Sequence, residues 1–273
     1  MLKCRYTPGL LLLSVLSFSA AGQSAKDFNS FGWGAYSHSF TDILCTFRNE
    51  AGLAGIKYFS AAMLAERRFM LDATSSYAFA AAVPASSGTF CLSGDSFGFD
   101  DFRRLQVGLA YGRHLAPWLD AGIQFYYLNI RVPAYGSARA ATFSIAAMIH
   151  WNEHWHTGFR TFNPIEVKYN GLGNDAVPAA YQAGIGYQPS SVFLLSAEIS
   201  ETSHWPLSGT VAFYYHIAPS LGFTGGIGTG EEKLFLGLAL YLKQFRMMFY
   251  ASYYSRLGIS PAAAFIFENN KLP

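Results

Sequence analysis

Apolar and polar positions alternate along most of this chain with a period of two. Between Leu105 and Gly112, the residues Leu105, Val107, Leu109 and Tyr111 fall on one side of an extended segment. Gln106, Gly108, Ala110 and Gly112 fall on the other. Leu119, Ala121, Ile123, Phe125 and Tyr127 oppose Asp120, Gly122, Gln124 and Tyr126 in the same way. The pattern returns in Tyr181, Ala183, Ile185 and Tyr187 against Gln182, Gly184 and Gly186. It returns again in Leu234, Leu236, Leu238 and Leu240 against Phe235, Gly237, Ala239 and Tyr241. Successive side chains of a strand point to opposite faces, so each segment has one large apolar face and one small or polar face. A one-sided soluble sheet would carry charge on its second face. Here that face is Gly, Ala, Ser and Gln, the pattern of a transmembrane strand of ~10 residues between lipid and a lumen.

Such segments begin near residue 57, with centres near 61, 75, 92, 108, 123, 144, 159, 183, 195, 212, 223, 237, 249 and 264. They predict an all-β fold: a transmembrane antiparallel β-barrel of about fourteen strands, an even number as in bacterial single-chain barrels. Turn residues separate the segments at Pro84 to Gly88, Asn170-Gly171 with Gly173-Asn174, Gly228 to Glu231, and Leu257 to Pro261. No long linker interrupts the series, so residues 57–268 read as one barrel domain followed by a short tail at 269–273.

The N-terminus has a different order. Lys3 and Arg5 precede an apolar run, Leu10 to Phe18, and then Ala20 and Gly22 stand three and one residues before a cut ahead of Gln23. Charge, apolar core and small-x-small cleavage site predict a signal peptide over residues 1–22, cleaved between Gly22 and Gln23. A spanning helix needs ~20 apolar residues, about twice this run. Cys4 lies upstream of the run and so is not placed for lipoprotein acylation. Cleavage removes Lys3 and Arg5 and no acid, so 19 Lys+Arg against 17 Asp+Glu become 17 of each. The mature chain is formally neutral and has no basic stripe, which excludes a nucleic-acid partner.

Composition sharpens the fold class. Only 13% of residues are charged, against ~25% in ordinary soluble domains. Aromatics reach 17%, with 24 Phe and 17 Tyr. Beyond the signal no apolar run approaches the ~18 residues of a membrane helix. An exported, apolar chain without such a helix is left with a closed barrel, which satisfies every backbone group in lipid. The predicted location is the outer membrane of a Gram-negative cell, with outer-membrane lipids as the first partner.

Residues 23–56 break the alternation. They hold Gly32, Trp33, Gly34, Asp42, Cys45, Arg48 and Asn49, then the small-residue stretch Glu50 to Gly55. Barrels wider than ~8 strands do not fill themselves with side chains. The segment is therefore expected in the lumen as a plug, with Asp42 and Arg48 paired to a polar wall; a periplasmic arm is the alternative. Cleavage leaves two cysteines, Cys45 and Cys91. An oxidising envelope permits a disulfide tying plug to early strand, although spacing alone leaves their distance open.

Chemical motifs are sparse. His150, Glu153 and His154 spell H-x-x-E-H, but that zinc-peptidase pattern requires a helix. Here it joins two strands and reads as an interfacial turn rich in Trp and His. There is no G-x-S-x-G, and His114, His204 and His216 are scattered near strand ends. Gly225, Gly226, Gly228 and Gly230 precede no helix, so they do not form a phosphate loop. Neither catalysis, a metal nor a cofactor is expected.

Phe47-Arg48-Asn49-Glu50-Ala51-Gly52-Leu53-Ala54 resembles the Asn-Pro-Ala-x-Leu-Ala motif of the PorV/PorQ group of outer-membrane proteins. Asn49, Ala51, Gly52, Leu53 and Ala54 carry the match, with Glu50 where the motif has Pro. Ala121 to Gln124 with its following Tyr pair, Phe162-Asn163-Pro164 and Leu257 to Pro261 extend it over residues 30–267. That group is itself similar to the FadL long-chain fatty-acid transporters. The resemblance implies a fourteen-stranded FadL-like barrel closed by its N-terminal residues. It further implies a non-catalytic accessory or interaction subunit of a type IX secretion or related complex, with protein partners. The FadL similarity also implies an alternative: a passive transporter of a hydrophobic small molecule, with an apolar pocket under the plug and a lateral opening. A mature length of about 250 residues is short for FadL-type loops, which favours the interaction subunit. The sparse charge on the inward face excludes an ion-selective porin.

Overall fold

In lipid a strand can satisfy its backbone only against other strands, and the last strand must return to the first. The computed structural model describes residues 28, 30–171, 175–203 and 205–269. Among them are fourteen antiparallel strands. They are β1 (Ser60–Arg67), β2 (Ser75–Ala85), β3 (Gly88–Phe99), β4 (Phe102–Ala116), β5 (Leu119–Val132), β6 (Gly136–His150) and β7 (Trp155–Phe162). The second half comprises β8 (Ala180–Ser190), β9 (Phe193–Thr202), β10 (Ser208–Ala218), β11 (Leu221–Gly228), β12 (Glu232–Leu242), β13 (Phe245–Tyr254) and β14 (Gly258–Glu268). Each strand pairs with its neighbours in sequence, and β1 closes the barrel on β14 from Ser60↔Glu268 to Glu66↔Ala262. All fourteen centres read from the alternation lie within these strands. The signal peptide with its Gly22–Gln23 cut, His204 and residues 270–273 lie outside the described residues.

Strand faces follow the sequence pattern because lipid and lumen are different solvents. Leu234, Leu236, Leu238 and Leu240 are exposed on the outside, while Phe235 and Ala239 are buried inside. Six connections at one end span two to four residues each. The other end carries longer ones, among them residues 68–74 and 163–179. Short turns face the periplasm and longer loops the exterior in bacterial barrels, and girdles of aromatics mark both interfaces. Trp118, Trp151 and Trp155 are exposed at the turn end, and Tyr77, Tyr135 and Tyr181 at the loop end.

The lumen is filled from the N-terminal side. Residues 30–56 run through it as three short 3-10 turns, Trp33–Tyr36, Ile43–Phe47 and Glu50–Gly55. Asp42 and Asn49 start the second and third, their side chains accepting from Leu44 N at 2.8 Å and Ala51 N at 3.1 Å. Such caps satisfy amide groups that a short turn leaves open. Trp33, Tyr36, Ile43, Leu44 and Leu53 are fully buried by the wall, each burial contributing about 1.5–3 kcal/mol. The wall makes room with small residues. A Cβ added to Gly122 would lie 2.5 Å from Ala51 N, and one on Gly184 would lie 2.2 Å from the Tyr36 ring. Gly122 lets the plug backbone lie directly on β5, and Gly184 makes room for the Tyr36 ring on β8.

Candidate functional site

Plug and wall are joined by buried charges. Arg48, on the plug, donates from Nη1 to Glu198 Oε2 of β9 at 2.8 Å and from Nε to the Phe31 carbonyl at 3.1 Å. Its guanidinium also stacks 3.7 Å above the Trp33 ring. Tyr36 donates its hydroxyl to the same Glu198 oxygen at 2.5 Å. Burial, reinforced by the Glu198 charge, pushes the Tyr36 phenol well above its ordinary range, so it stays a donor. Asp42 Oδ2 accepts from Arg246 of β13 at 2.6 Å. Thus both plug charges singled out in the sequence meet opposite charges on the lumen wall.

Glu50 extends the network. Its side chain is fully buried, accepting from Arg160 Nε of β7 at 2.8 Å and from the Ser144 hydroxyl. Arg160 reaches on to Gln182 Oε1 at 3.0 Å and to the Tyr126 hydroxyl at 2.7 Å. Glu50 is therefore the plug's ion-pair partner for β7. Around it, Asn49 caps the turn and donates to the carbonyls of Ala147 and Phe159. Ala51, Leu53 and Ala54 lie against Gly122 and Gly112, and Gly52 packs against Cys45. Asn49, Ala51, Gly52, Leu53 and Ala54 together form the seat of the plug on β4, β5, β6 and β7.

Cys45 lies on the plug and Cys91 on β3. Both residues are buried and both thiols are free. A Cβ on Gly52 would lie 3.1 Å from Cys45 Sγ, so this thiol is turned onto the plug's own backbone. Cys91 Sγ lies 3.8 Å from the Leu92 carbonyl on β3. Burial also pushes the Cys45 thiol well above its ordinary range, with the Asp42 charge adding to the shift.

The plug does not fill the lumen completely. A cavity of about 130 Å³ lies between it and residues 163–179. Phe28, Phe31 and Phe47 line it from the plug, Gln124, Tyr126 and Leu128 from β5, Phe162 from the end of β7, and Val177 from the region after it. An apolar cavity on the order of 150 Å³ holds one benzene ring, so this space fits a single small ring. Arg48, Arg104 and Arg160 also border it, beside the carboxylates Glu198, Asp95 and Glu50 at 2.8, 3.8 and 2.8 Å. Paired charges leave no single-sign field of the kind an ion-selective pore uses.

The strand ladder of the wall is short beside this cavity. β6 pairs with β7 only from Ser144 to His150, and beyond Ser144 its backbone bonds to Asn163 and Asn170 instead of to a strand. Asn163 N donates to the Phe143 carbonyl at 2.9 Å, and Arg139 and Asn170 exchange backbone bonds of 2.9 and 2.8 Å. Asn163 is wholly buried with φ +53°, a conformation Asn tolerates better than most residues. Its Oδ1 accepts from Thr142 Oγ1 at 2.7 Å and Val167 N at 3.1 Å, while Nδ2 donates to the Val177 carbonyl at 2.7 Å. Every strand pair of the barrel is hydrogen-bonded.

The H-x-x-E-H stretch forms the connection between β6 and β7, not a helix. His150 Nε2 meets Asp120 Oδ2 at 3.0 Å, and His114 Nδ1 meets Asp120 Oδ1 at 2.5 Å. The plug is fastened beside them, where Gln188 Oε1 accepts from His38 N and Ser39 N, each at 3.2 Å. Among the described residues no group of three His, Cys, Asp or Glu is arranged to hold a metal ion. His216 donates to or accepts from the Tyr241 hydroxyl at 3.0 Å, far from His114 in the strand order.

No protein-family model matches the sequence, and no characterised protein matches it in sequence. Solved structures do match in fold. The toluene transporter TbuX of Ralstonia pickettii aligns with a TM-score of 0.61 at 11% identity, over 83% of this chain and 94% of that one. The Pseudomonas putida toluene transporter TodX gives 0.61 at 9% identity, over 82% and 92%. The CymD monoaromatic hydrocarbon channel gives 0.60 at 8% identity, over 83% and 93%. The chain shares the FadL-like barrel fold of these channels.

Proposed function

We propose that this protein is a passive, non-catalytic conduit of the outer membrane that admits small hydrophobic molecules through its plugged barrel. The observation that carries the reading is the ring-sized, aromatic-lined cavity held between plug and residues 163–179. About half of the residues lining the cavity are apolar or aromatic and the rest polar or charged, so it offers a small molecule both packing surface and hydrogen-bonding groups. An apolar molecule entering it gains by leaving water and packing against Phe31, Phe47 and Phe162. Release needs only a modest shift of the region after β7, where wall hydrogen bonds come from a loop. Structural likeness to toluene transporters and a monoaromatic hydrocarbon channel supports the same reading. It favours the conduit over a subunit of a type IX secretion complex, a role that only the motif resemblance suggested.

The test is uptake of radiolabelled toluene by cells carrying the protein in an outer membrane stripped of other hydrocarbon channels. The rate should rise over empty cells and should not change when the proton gradient is collapsed. Ala180→Trp, which places an indole in the cavity, should return it to the baseline while the barrel still folds. Equal uptake with and without the protein would overturn the proposal.

A further inference from the structure

The cavity holds a polar atom that its surroundings leave unsatisfied. Gln124 sits on the inward face of β5 and is 1% exposed. Its Nε2 donates to Ser93 Oγ of β3 at 2.8 Å, passing over Gly108 of β4, where an added Cβ would come within 2.3 Å of that nitrogen. Ser93 Oγ donates in turn to the Gly108 carbonyl at 3.5 Å. In this arrangement the amide turns Nε2 to the Ser93 hydroxyl, which accepts from it. Gln124 Oε1 is buried and has no hydrogen-bond partner among the described residues, and Gln124 lines the cavity. A buried acceptor without a donor is unfavourable until something supplies one.

Resting on the conduit reading, we propose that the cavity selects a monocyclic aromatic bearing a hydrogen-bond donor, with a phenol as the simplest case. The ring packs among Phe31, Phe47 and Phe162, and the hydroxyl donates to Gln124 Oε1. A pure hydrocarbon fills the same space but leaves the acceptor bare. A carboxylate fits poorly, since it brings no donor to Oε1. It would also have to compete for guanidinium groups that Glu50 and Glu198 already hold at 2.8 Å.

Equilibrium dialysis tests this on the full-length protein in lipid nanodiscs, with partition into empty nanodiscs subtracted. The ligands are p-cresol, toluene, 4-methylanisole (which keeps the oxygen and loses the donor) and p-toluate. p-Cresol should bind about tenfold tighter than toluene and 4-methylanisole, the scale of one buried hydrogen bond, and p-toluate no better than toluene. Gln124→Met should bring p-cresol down to the toluene value and leave toluene unchanged, with folding checked by heat-modifiable gel mobility. If that variant does not fold, the comparison of p-cresol with 4-methylanisole on the natural protein still decides. Equal binding of p-cresol and toluene overturns the donor inference and leaves the conduit standing, an ordered water then satisfying Gln124. p-Cresol preference that survives Gln124→Met overturns the assignment to this residue. Binding of none of the four overturns the conduit reading itself.

Discussion

Replacing Arg160 by Met should release the plug without opening the barrel. Arg160 belongs to the wall and Glu50 to the plug, and the Glu50 side chain has no solvent exposure. Without the guanidinium, Glu50 keeps the Ser144 hydroxyl and loses its counter-charge. Gln182 Oε1 and the Tyr126 hydroxyl lose a donor as well. Breaking a buried ion pair by removing one partner costs about 3–5 kcal/mol. At about 1.4 kcal/mol per factor of ten, that is roughly a 10²- to 4 × 10³-fold rise in the open population of the plug seat. The barrel ladder is untouched, because Arg160 contributes its backbone bonds whatever its side chain. Hydrogen exchange of residues 45–56 in nanodiscs reads the effect: these amides should lose protection by that factor while β2 to β6 keep theirs. The double variant Glu50→Gln with Arg160→Met should recover much of the loss, since neighbouring partners couple by about 0.5–3 kcal/mol. Unchanged protection in Arg160→Met, or strictly additive losses in the double variant, would refute the ion pair as the plug's anchor.

Other consequences are as direct. Gly122→Leu should expel the 50–55 turn from its seat, because a Cβ there already lies 2.5 Å from Ala51 N; single-channel recordings should show conductance that the natural protein lacks. Asn163→Ala removes three side-chain hydrogen bonds and leaves Ala at φ +53°, a strain of about 1–2 kcal/mol. Bound toluene should then dissociate faster, and an unchanged off-rate would rule out residues 163–179 as the cover of the cavity. Cys45 and Cys91 are free and buried, so maleimide at pH 8 should label neither in the folded barrel and both after denaturation. A non-reducible mass equal to two free thiols would accompany that result, and a mass two protons lighter would contradict it.

The barrel was legible because lipid imposes a two-solvent pattern on every strand. Leu234 to Leu240 show it without any knowledge of which strands touch, and so do Leu119 to Tyr127. The plug was legible as a break in that pattern, and the charges of Asp42 and Arg48 called for partners. Which partners they found was not, since Arg246 and Glu198 lie far along the chain and only the barrel's closure brings them near. The same holds for Gln124: its bare oxygen arises from the register that sets it beside Gly108 and Ser93. One signal could have been read earlier. Gly122, Gly184 and Gly186 stand on inward faces where larger residues would also fit a lumen, and that smallness marked where plug backbone or the Tyr36 ring lies on the wall.

The most direct test of the account is to locate a small aromatic inside the protein. A diazirine derivative of toluene, photolysed with the full-length protein in nanodiscs and mapped by peptide mass spectrometry, does this in one experiment. Label should concentrate on the peptides carrying Phe31, Phe47, Leu128 and Phe162, and excess p-cresol should compete it away. Label confined to the lipid-facing Leu234 to Leu240 stripe, indifferent to competitor, would contradict the account.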